Sequence, residues 1–495
     1  MSAGFALAAV QTPNPTPHRR SKSQPSRRGP AQPSRRSLKL GVSWVFGVWC
    51  LVFSPAAADL KLIILDPGHF HAALFQREML PGVAEKAYVY APIGPDLTAH
   101  LNRVAQFNLR RENPTHWQLE VRTGTNYFER LLAERRGNVV VLAGNNRGKM
   151  DRILALVRAR LNVLADTPWI IEPEALPQLQ AALDTAEKRR VLAYDAMTER
   201  FEISCALQRE LVNDRDIFGE PLRGTPEDPA VYLESLDYLL KEAGGVPNLR
   251  PAWFFDIRQQ GEGLADVGPH LAERAQWTLF PDQAIDYQLD IRVLRGRRWP
   301  TMLTREQFQR VTGASEFPEF LSAALKGDRL EYFCNNNVSY TLRGIQVKLD
   351  VRREFEAQPG DQNRQFAIFR GSKSRVEARQ GNAEQFRAEV YVVPARLEDR
   401  AAVRDALQKR IAALQKSYPG LALEEQGERF HLAIPEALRV GCEARFTQVG
   451  RRFLDYVRHP KSLPAWEKPN LLAKYYVTTK GIELARKPAI QTASP

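Results

Sequence analysis

From residue 59 to residue 170 the chain repeats one pattern: a short apolar run, a turn, then a longer polar stretch with apolar residues at helical spacing. The runs are 60–65 (LKLIIL), 87–91 (AYVYA), 117–121, 138–143 (NVVVLA) and the pair Val163-Leu164; the helical stretches are 71–80, 96–107, 126–135 and 149–160. Continuous Val/Ile/Leu runs mark strands buried on both faces. Strands that alternate with helices build a parallel sheet covered by those helices. The order predicts a Rossmann half with appended units. Helices continue over 174–187 and 199–213 with a strand at 191–194 between them; from about residue 285 strand signals dominate, over 287–294, 337–351, 365–369, 374–378 and 388–393. The stretch 398–416 carries Val403, Leu407, Ile411 and Leu414 on one face and predicts a packed surface helix.

The net charge of +13 over 495 residues invites a nucleic-acid partner, but its location removes that reading. Arg19, Arg20, Lys22, Arg27, Arg28, Arg35, Arg36 and Lys39 place eight positive charges in residues 1–58, which hold no Asp or Glu, and leave +5 for 59–495. No basic cluster with interleaved aromatics stands out, so nucleic-acid binding is excluded. The leader is rich in Pro, Ser and Arg up to Arg36, then apolar over 40–53, and ends in Ser54-Pro55-Ala56-Ala57-Ala58. Those are the three parts of a secretory signal, with cleavage expected after Ala58. The apolar part is shorter than the about 20 residues of a membrane span; anchoring through 40–53 is the alternative. Arg35-Arg36 resembles a twin-arginine signal, and a general secretory signal with incidental arginines is the other reading. The expected location is the periplasm or another extracytoplasmic space. Cys50, Cys205, Cys334 and Cys442 have no metal spacing and build no disulfide framework.

Open α/β sheets bind ligands beyond the carboxyl ends of their strands, so the turns there carry the candidate chemistry. The first, Asp66-Pro67-Gly68-His69-Phe70-His71-Ala72, has Gly68 where a G-x-G-x-x-G fingerprint belongs. The helix after it is expected to offer free N–H groups to a pyrophosphate. His69 and His71 are candidates for phosphate binding or acid–base work, or else cap the turn. No third ligand lies near them in sequence, so no metal site is expected. Tyr90-Ala91-Pro92 follow the second strand without an acidic residue, and NAD and NADP are not distinguished. Asn145 and Asn146 stand where a nicotinamide would be touched, or form an ordinary strand-end turn. Asp166-Thr167-Pro168 ends the fifth strand.

Further on, Gly261-Glu262-Gly263 precedes Asp266 and His270, whose spacing of four puts both on one helical face. A carboxylate beside an imidazole suits proton transfer from a hydroxyl while hydride leaves the carbon; a structural ion pair or helix cap uses the same residues. This Gly-rich turn with Asp-x-x-x-His, and Asp166-Thr167-Pro168 in the place of a Glu-Lys-Pro turn, resemble the Gfo/Idh/MocA oxidoreductases. The Asp-Pro-Gly-His-Phe-His-Ala turn, Phe369-Arg370-Gly371-Ser372-Lys373-Ser374 and Leu463-Pro464-Ala465-Trp466-Glu467 resemble the branch with the "putative oxidoreductase C-terminal domain". The resemblance covers nearly all of 59–485. It implies an α/β fold, with a leader at 1–58, a Rossmann dinucleotide-binding domain at 59–175, and a C-terminal α/β domain at 176–495 built on a large, mostly antiparallel sheet. It also implies NAD or NADP, bound through Gly68, His69, His71, Asn145, Asn146, Asp166 and Pro168. The catalytic group is then His270, Asp266 and position 167, where Thr167 replaces a lysine that assists hydride transfer.

The function implied is oxidation or reduction of a sugar, polyol or glycoside hydroxyl, with His270 as acid–base group and Asp266 as its orienting partner. His69, His71 or Lys241 are candidates for the charge that Thr167 lacks. One alternative keeps the cofactor bound and cleaves a glycoside through transient oxidation. Another is a nucleotide- or carbohydrate-binding homologue with impaired catalysis. The expected partner is a small carbohydrate-type substrate, and a homo-oligomer through the C-terminal sheet stays open.

Overall fold

The computed structural model describes residues 60–243, 246–247 and 249–487. The leader, with its expected cleavage or anchoring, lies outside the described residues. Among those residues, no helix is long and apolar enough to cross a membrane.

Six strands form the first sheet: β1 Leu62–Leu65, β2 Lys86–Tyr90, β3 Gln118–Arg122, β4 Val139–Leu142, β5 Asn162–Ala165 and β6 Ala193–Asp195. Their order is 3-2-1-4-5-6 and every pairing is parallel, which is the arrangement of dinucleotide-binding sheets. β6 lies past residue 175, where the sequence reading ends the first domain. Side-chain alternation along β1 explains why LIIL is apolar throughout: Leu62 and Ile64 enter one core, Ile63 and Leu65 the other. The helices of this half are α1 His71–Leu74, α2 Pro95–Leu109, α3 Tyr127–Glu134, α4 Lys149–Arg158, α5 Leu176–Arg189 and α6 Ile203–Val212.

α1 corrects the sequence reading, since the helix expected over 71–80 is a single turn. The Gln76 carbonyl, which a longer helix would use internally, accepts from the Trp117 indole at 2.7 Å. The face left bare is covered from far along the chain. Phe446, Val449 and Phe453 of the helix Cys442–Arg458 pack in one core with Phe75, Leu80 and Ile64.

The second sheet runs in the order 291–303, 329–342, 345–354, 231–238, 364–370, 374–380, 389–394, 429–433, 422–426. Only the pair 345–354 with 231–238 is parallel. The single strand expected over 337–351 is instead a hairpin. Arg343 and Gly344 both take positive φ (50° and 80°), the backbone of a two-residue primed turn that a run of strand-forming residues conceals. The helix Arg400–Leu414 buries Val403, Leu407, Ile411 and Leu414 against this sheet.

A 20-residue helix, Glu467–Arg486, joins the halves. Leu471, Leu472 and Tyr475 belong to the core of the parallel sheet, whereas Ala473, Val477 and Ile482 belong to that of the large sheet. Its backbone lies directly on the strand Ile291–Leu303, where a Cβ on Gly296 would stand 2.1 Å from the Gly481 carbonyl.

Candidate active site

The strand order reverses between β1 and β4, so the crevice lies between the turns at 66–71 and 143–148. These turns are stitched together: the His69 N–H donates to the Ala143 carbonyl at 2.8 Å, and Asp66 pairs with Arg152. A Cβ on Gly68 would stand 3.1 Å from Asp96 Oδ2 and 3.3 Å from the Trp253 ring. Gly68 therefore allows a close approach of this turn to Asp96 and Trp253, which a larger residue would crowd. With α1 reduced to one turn, the expected helix N-terminus is replaced by the backbone of this turn. The exposed side chains of Phe70 and Ile93 border the same edge of the sheet.

The segment around residue 255 straps this edge from the second half of the chain. Trp253 Nε1 donates to Asp96 Oδ2 at 3.1 Å. Asn145 Nδ2 donates to Gln259 Oε1 at 2.6 Å, and Asn146 Nδ2 to the Gln260 carbonyl at 2.9 Å. Both asparagines thus hold the strap through their amide groups.

The first-turn histidines meet the fifth strand. His69 Nδ1 and His71 Nδ1 each lie 3.3 Å from Asp166 Oδ2, with the imidazole centroids 3.9 Å apart and the rings edge to face. The other carboxylate oxygen, Asp166 Oδ1, accepts from Lys149 Nζ at 2.6 Å, and that ammonium also donates to the Asp166 carbonyl at 3.1 Å. Burial opposes the charge on Asp166, but the Lys149 ammonium and the two imidazoles outweigh it and hold the carboxyl far below its usual range. Burial, then the charge of His69, push His71 down to about 3 against the pull of Asp166. His71 is consequently a neutral imidazole at neutral pH.

Thr167 points away from this cluster. Its hydroxyl donates to Asp195 Oδ1 at 2.8 Å, while Asp195 Oδ2 accepts from Tyr475 Oη at 2.8 Å and faces Lys474 Nζ at 3.0 Å. Tyr475 Oη in turn accepts from the Trp169 N–H at 2.9 Å. The Thr167-Pro168 peptide is cis. Position 167 therefore fastens the turn to the helix Glu467–Arg486 through a buried polar network.

Asp266 and His270 do not partner each other as their spacing predicts. Pro269 has no N–H to continue a helix, and the chain forms two segments, Gly263–Asp266 and Gly268–Leu279. Asp266 pairs with Arg353 and accepts from Gln260 Nε2 at 2.9 Å. His270 Nδ1 instead lies 2.8 Å from Glu199 Oε1. Burial disfavours the imidazolium, but Glu199 first, then Asp195 and Asp266, reverse the effect and raise His270 above its ordinary 6.5. Glu199 is lowered to about 2: burial works against its charge, and His270 more than compensates. Electrostatics connect this segment with the first turn: the charge of His69 contributes to the lowering of Asp266, and that of His270 to the lowering of His71.

Two functional candidates are absent from the sequence reading. Glu199 opens a helical turn directly after Asp195-Ala196-Met197-Thr198, and its place beyond β6 was the available signal. Lys149 begins α4 after the Asn-rich turn and reads as an ordinary first-turn residue; nothing local marks an ammonium that is fully buried. Lys241, the other candidate for the missing charge, lies 3.4 Å from Asp237.

Residues 207–486 match the family model described as "putative oxidoreductase C-terminal domain". A "putative oxidoreductase" from Parabacteroides merdae, known from its crystal structure, is 41% identical over 87% of this chain and 98% of its own, with a TM-score of 0.85. The chain belongs to the Gfo/Idh/MocA oxidoreductases. Within that family it carries the branch's C-terminal domain. Two more distant structures share the fold. GenD2 from gentamicin A biosynthesis, in complex with NAD, is 13% identical over 87% of this chain and 95% of its own, with a TM-score of 0.53. Levoglucosan dehydrogenase, in complex with NADH and levoglucosan, is 12% identical over 86% and 97%, also at 0.53. No curated protein matches the chain.

Proposed function

We propose that this chain is an NAD(P)-dependent oxidoreductase acting on a hydroxyl of a sugar, polyol or glycoside. The observation that carries the reading is the parallel 3-2-1-4-5-6 sheet of dinucleotide-binding type, whose crevice end brings the Gly68 turn, with His69 and His71, onto Asp166 at 3.3 Å. The residues present fit the cofactor: the Gly68 turn follows β1 at the point where the strand order reverses, and Arg152 neutralises Asp66 beside it. Levoglucosan, bound by one distant relative of the same fold, supports the carbohydrate class. A bound nicotinamide would take up or deliver the hydride.

The protein's own part is proton transfer and positioning. His270 keeps Nδ1 toward Glu199, which leaves Nε2 for the substrate hydroxyl. As the C–H bond breaks, the hydroxyl proton passes to Nε2, and the Glu199 carboxylate stabilises the imidazolium that forms. Asp266 acts at one remove, holding Gln260 of the strap and Arg353. The signal-like leader at 1–58 adds export to the proposal. Mass spectrometry of protein from its native compartment would then find Asp59 at the amino terminus and retained dinucleotide.

The direct test is a titration of the purified chain with NADH and NADPH followed by turnover of candidate sugars. His270→Ala is expected to bind cofactor as the parent does and to lose turnover by about a hundredfold or more, the scale of positioned acid–base catalysis. A fully active variant would end the assignment.

A further inference from the structure

We propose that His69, His71 and Asp166 form a binding site for one divalent transition-metal ion, of the Zn²⁺, Co²⁺ or Fe²⁺ type, at the carboxyl ends of β1 and β5. The three donors come from two strands 95 residues apart, and their ligand atoms all lie within 4.8 Å of one another. Donors bonded at about 2.1 Å to a common cation lie about 3.0–3.4 Å apart in octahedral or tetrahedral sets. The two imidazole-to-carboxylate separations are 3.3 Å. One carboxylate oxygen serves both imidazoles, and only one of them is well aligned for a hydrogen bond to it. His71 Nδ1 is aligned for a hydrogen bond to Asp166 Oδ2, whereas His69 Nδ1, buried at the same 3.3 Å, meets that oxygen out of line for one. A cation between the three accounts for both rings.

The donor chemistry selects the metal. Lys149 occupies Oδ1 at 2.6 Å and cancels the carboxylate charge, but it leaves Oδ2 to the histidines. With no net negative charge to attract it, the ion must be bound for its affinity to imidazole, which excludes Mg²⁺ and Ca²⁺ and favours borderline metals. Phe446 and Phe70 stack on His71 and His69 at centroid distances of 4.4 and 4.5 Å and fix the ring planes. Three protein donors leave further positions open. A Lewis acid here would polarise a substrate oxygen near His270, which is the task of the lysine that Thr167 replaces. This role, unlike the binding itself, rests on the proposed oxidoreductase reaction. With both groups bound, the nicotinamide would accept the hydride and His270 the hydroxyl proton, while the ion would supply the positive charge beside the oxygen.

The test uses the full chain, stripped with a chelator and titrated with Zn²⁺ by calorimetry and with Co²⁺ by visible absorption. One equivalent per chain is expected, with imidazole-type Co²⁺ bands. His69→Ala and His71→Ala should each weaken binding by more than the about 10–100-fold that loss of a mere supporting partner costs. His116→Ala, on an exposed histidine paired with Glu85, should leave it unchanged, and melting curves verify that each variant is folded. Absence of a titratable ion, or binding unaltered in both His69 and His71 variants, overturns the site. NADH binding is measured on the same stripped samples. If NADH binds and metal does not, the metal site alone fails; if metal binds and NADH does not, the oxidoreductase reading alone fails.

Discussion

At the scale of single residues, the proposed acid–base group is tuned by a carboxylate outside its own element. Glu199 holds His270 above 6.5 although burial pulls the other way. Oxidation needs the neutral imidazole, so kcat/KM should climb with pH through that raised value. Glu199→Gln removes the anion but keeps the burial, and the rising limb is expected to move down by about one pH unit or more, as for any close opposite charge. A pH–rate profile measures this; an unmoved limb would show that His270 does not titrate in the reaction. Stability carries the same signature. The raised histidine stabilises the fold below 6.5 and loses that effect as pH rises through its folded value. The lowered Glu199 stabilises above 4.5 and loses its effect as pH falls through about 2. Denaturation of parent and variant should therefore differ most between 4.5 and 6.5.

At the scale of elements, the helix Glu467–Arg486 acts as the frame on which the site turns are mounted. Tyr475 reaches Asp195 and the Trp169 N–H, and through Asp195 it is tied to Thr167. Tyr475→Phe should lower the unfolding free energy by about 1.5–3 kcal/mol, the value of a hydrogen bond to a charged group. Urea denaturation reads that loss, and a change below about 0.5 kcal/mol, the scale of substitutions at exposed surface, would mean that the network is not coupled to folding. None of this was legible in the sequence, because Asp195 and Tyr475 are far apart along the chain. What was legible followed local periodicity: the alternation of strands and helices, and the four buried positions of Arg400–Leu414. Two misreadings came from local signals outweighed by a stronger pattern. Arg343-Gly344 hid a turn inside a strand-like run, and Gly268-Pro269 broke the helix that would have aligned Asp266 with His270. The cluster of His69, His71 and Asp166 was hidden for a different reason, since Asp166 follows a distant strand.

At the scale of the whole molecule, the dinucleotide-type sheet is not covered by its own helices alone. One face loses most of its first helix and receives Phe446, Val449, Phe453 and Leu454 in exchange. The other face packs Leu471, Leu472 and Tyr475 from the following helix. A fragment spanning 59–213 keeps every strand of the parallel sheet and α1 to α6, yet it would expose both of these apolar areas. Burial of each large apolar side chain is worth about 1.5–3 kcal/mol, so losing the seven named Phe, Val, Leu and Tyr side chains removes as much free energy as a typical domain's entire margin of about 5–15 kcal/mol. The fragment is therefore expected to aggregate or stay unfolded by circular dichroism and size-exclusion chromatography. Co-expression with 214–495 should rescue it as a complex. The same interleaving predicts one cooperative unfolding transition for 59–495, with parallel-sheet and large-sheet probes melting together. Two separated transitions, or a soluble and folded 59–213 fragment, would show that the C-terminal helices only decorate a sheet that is stable without them.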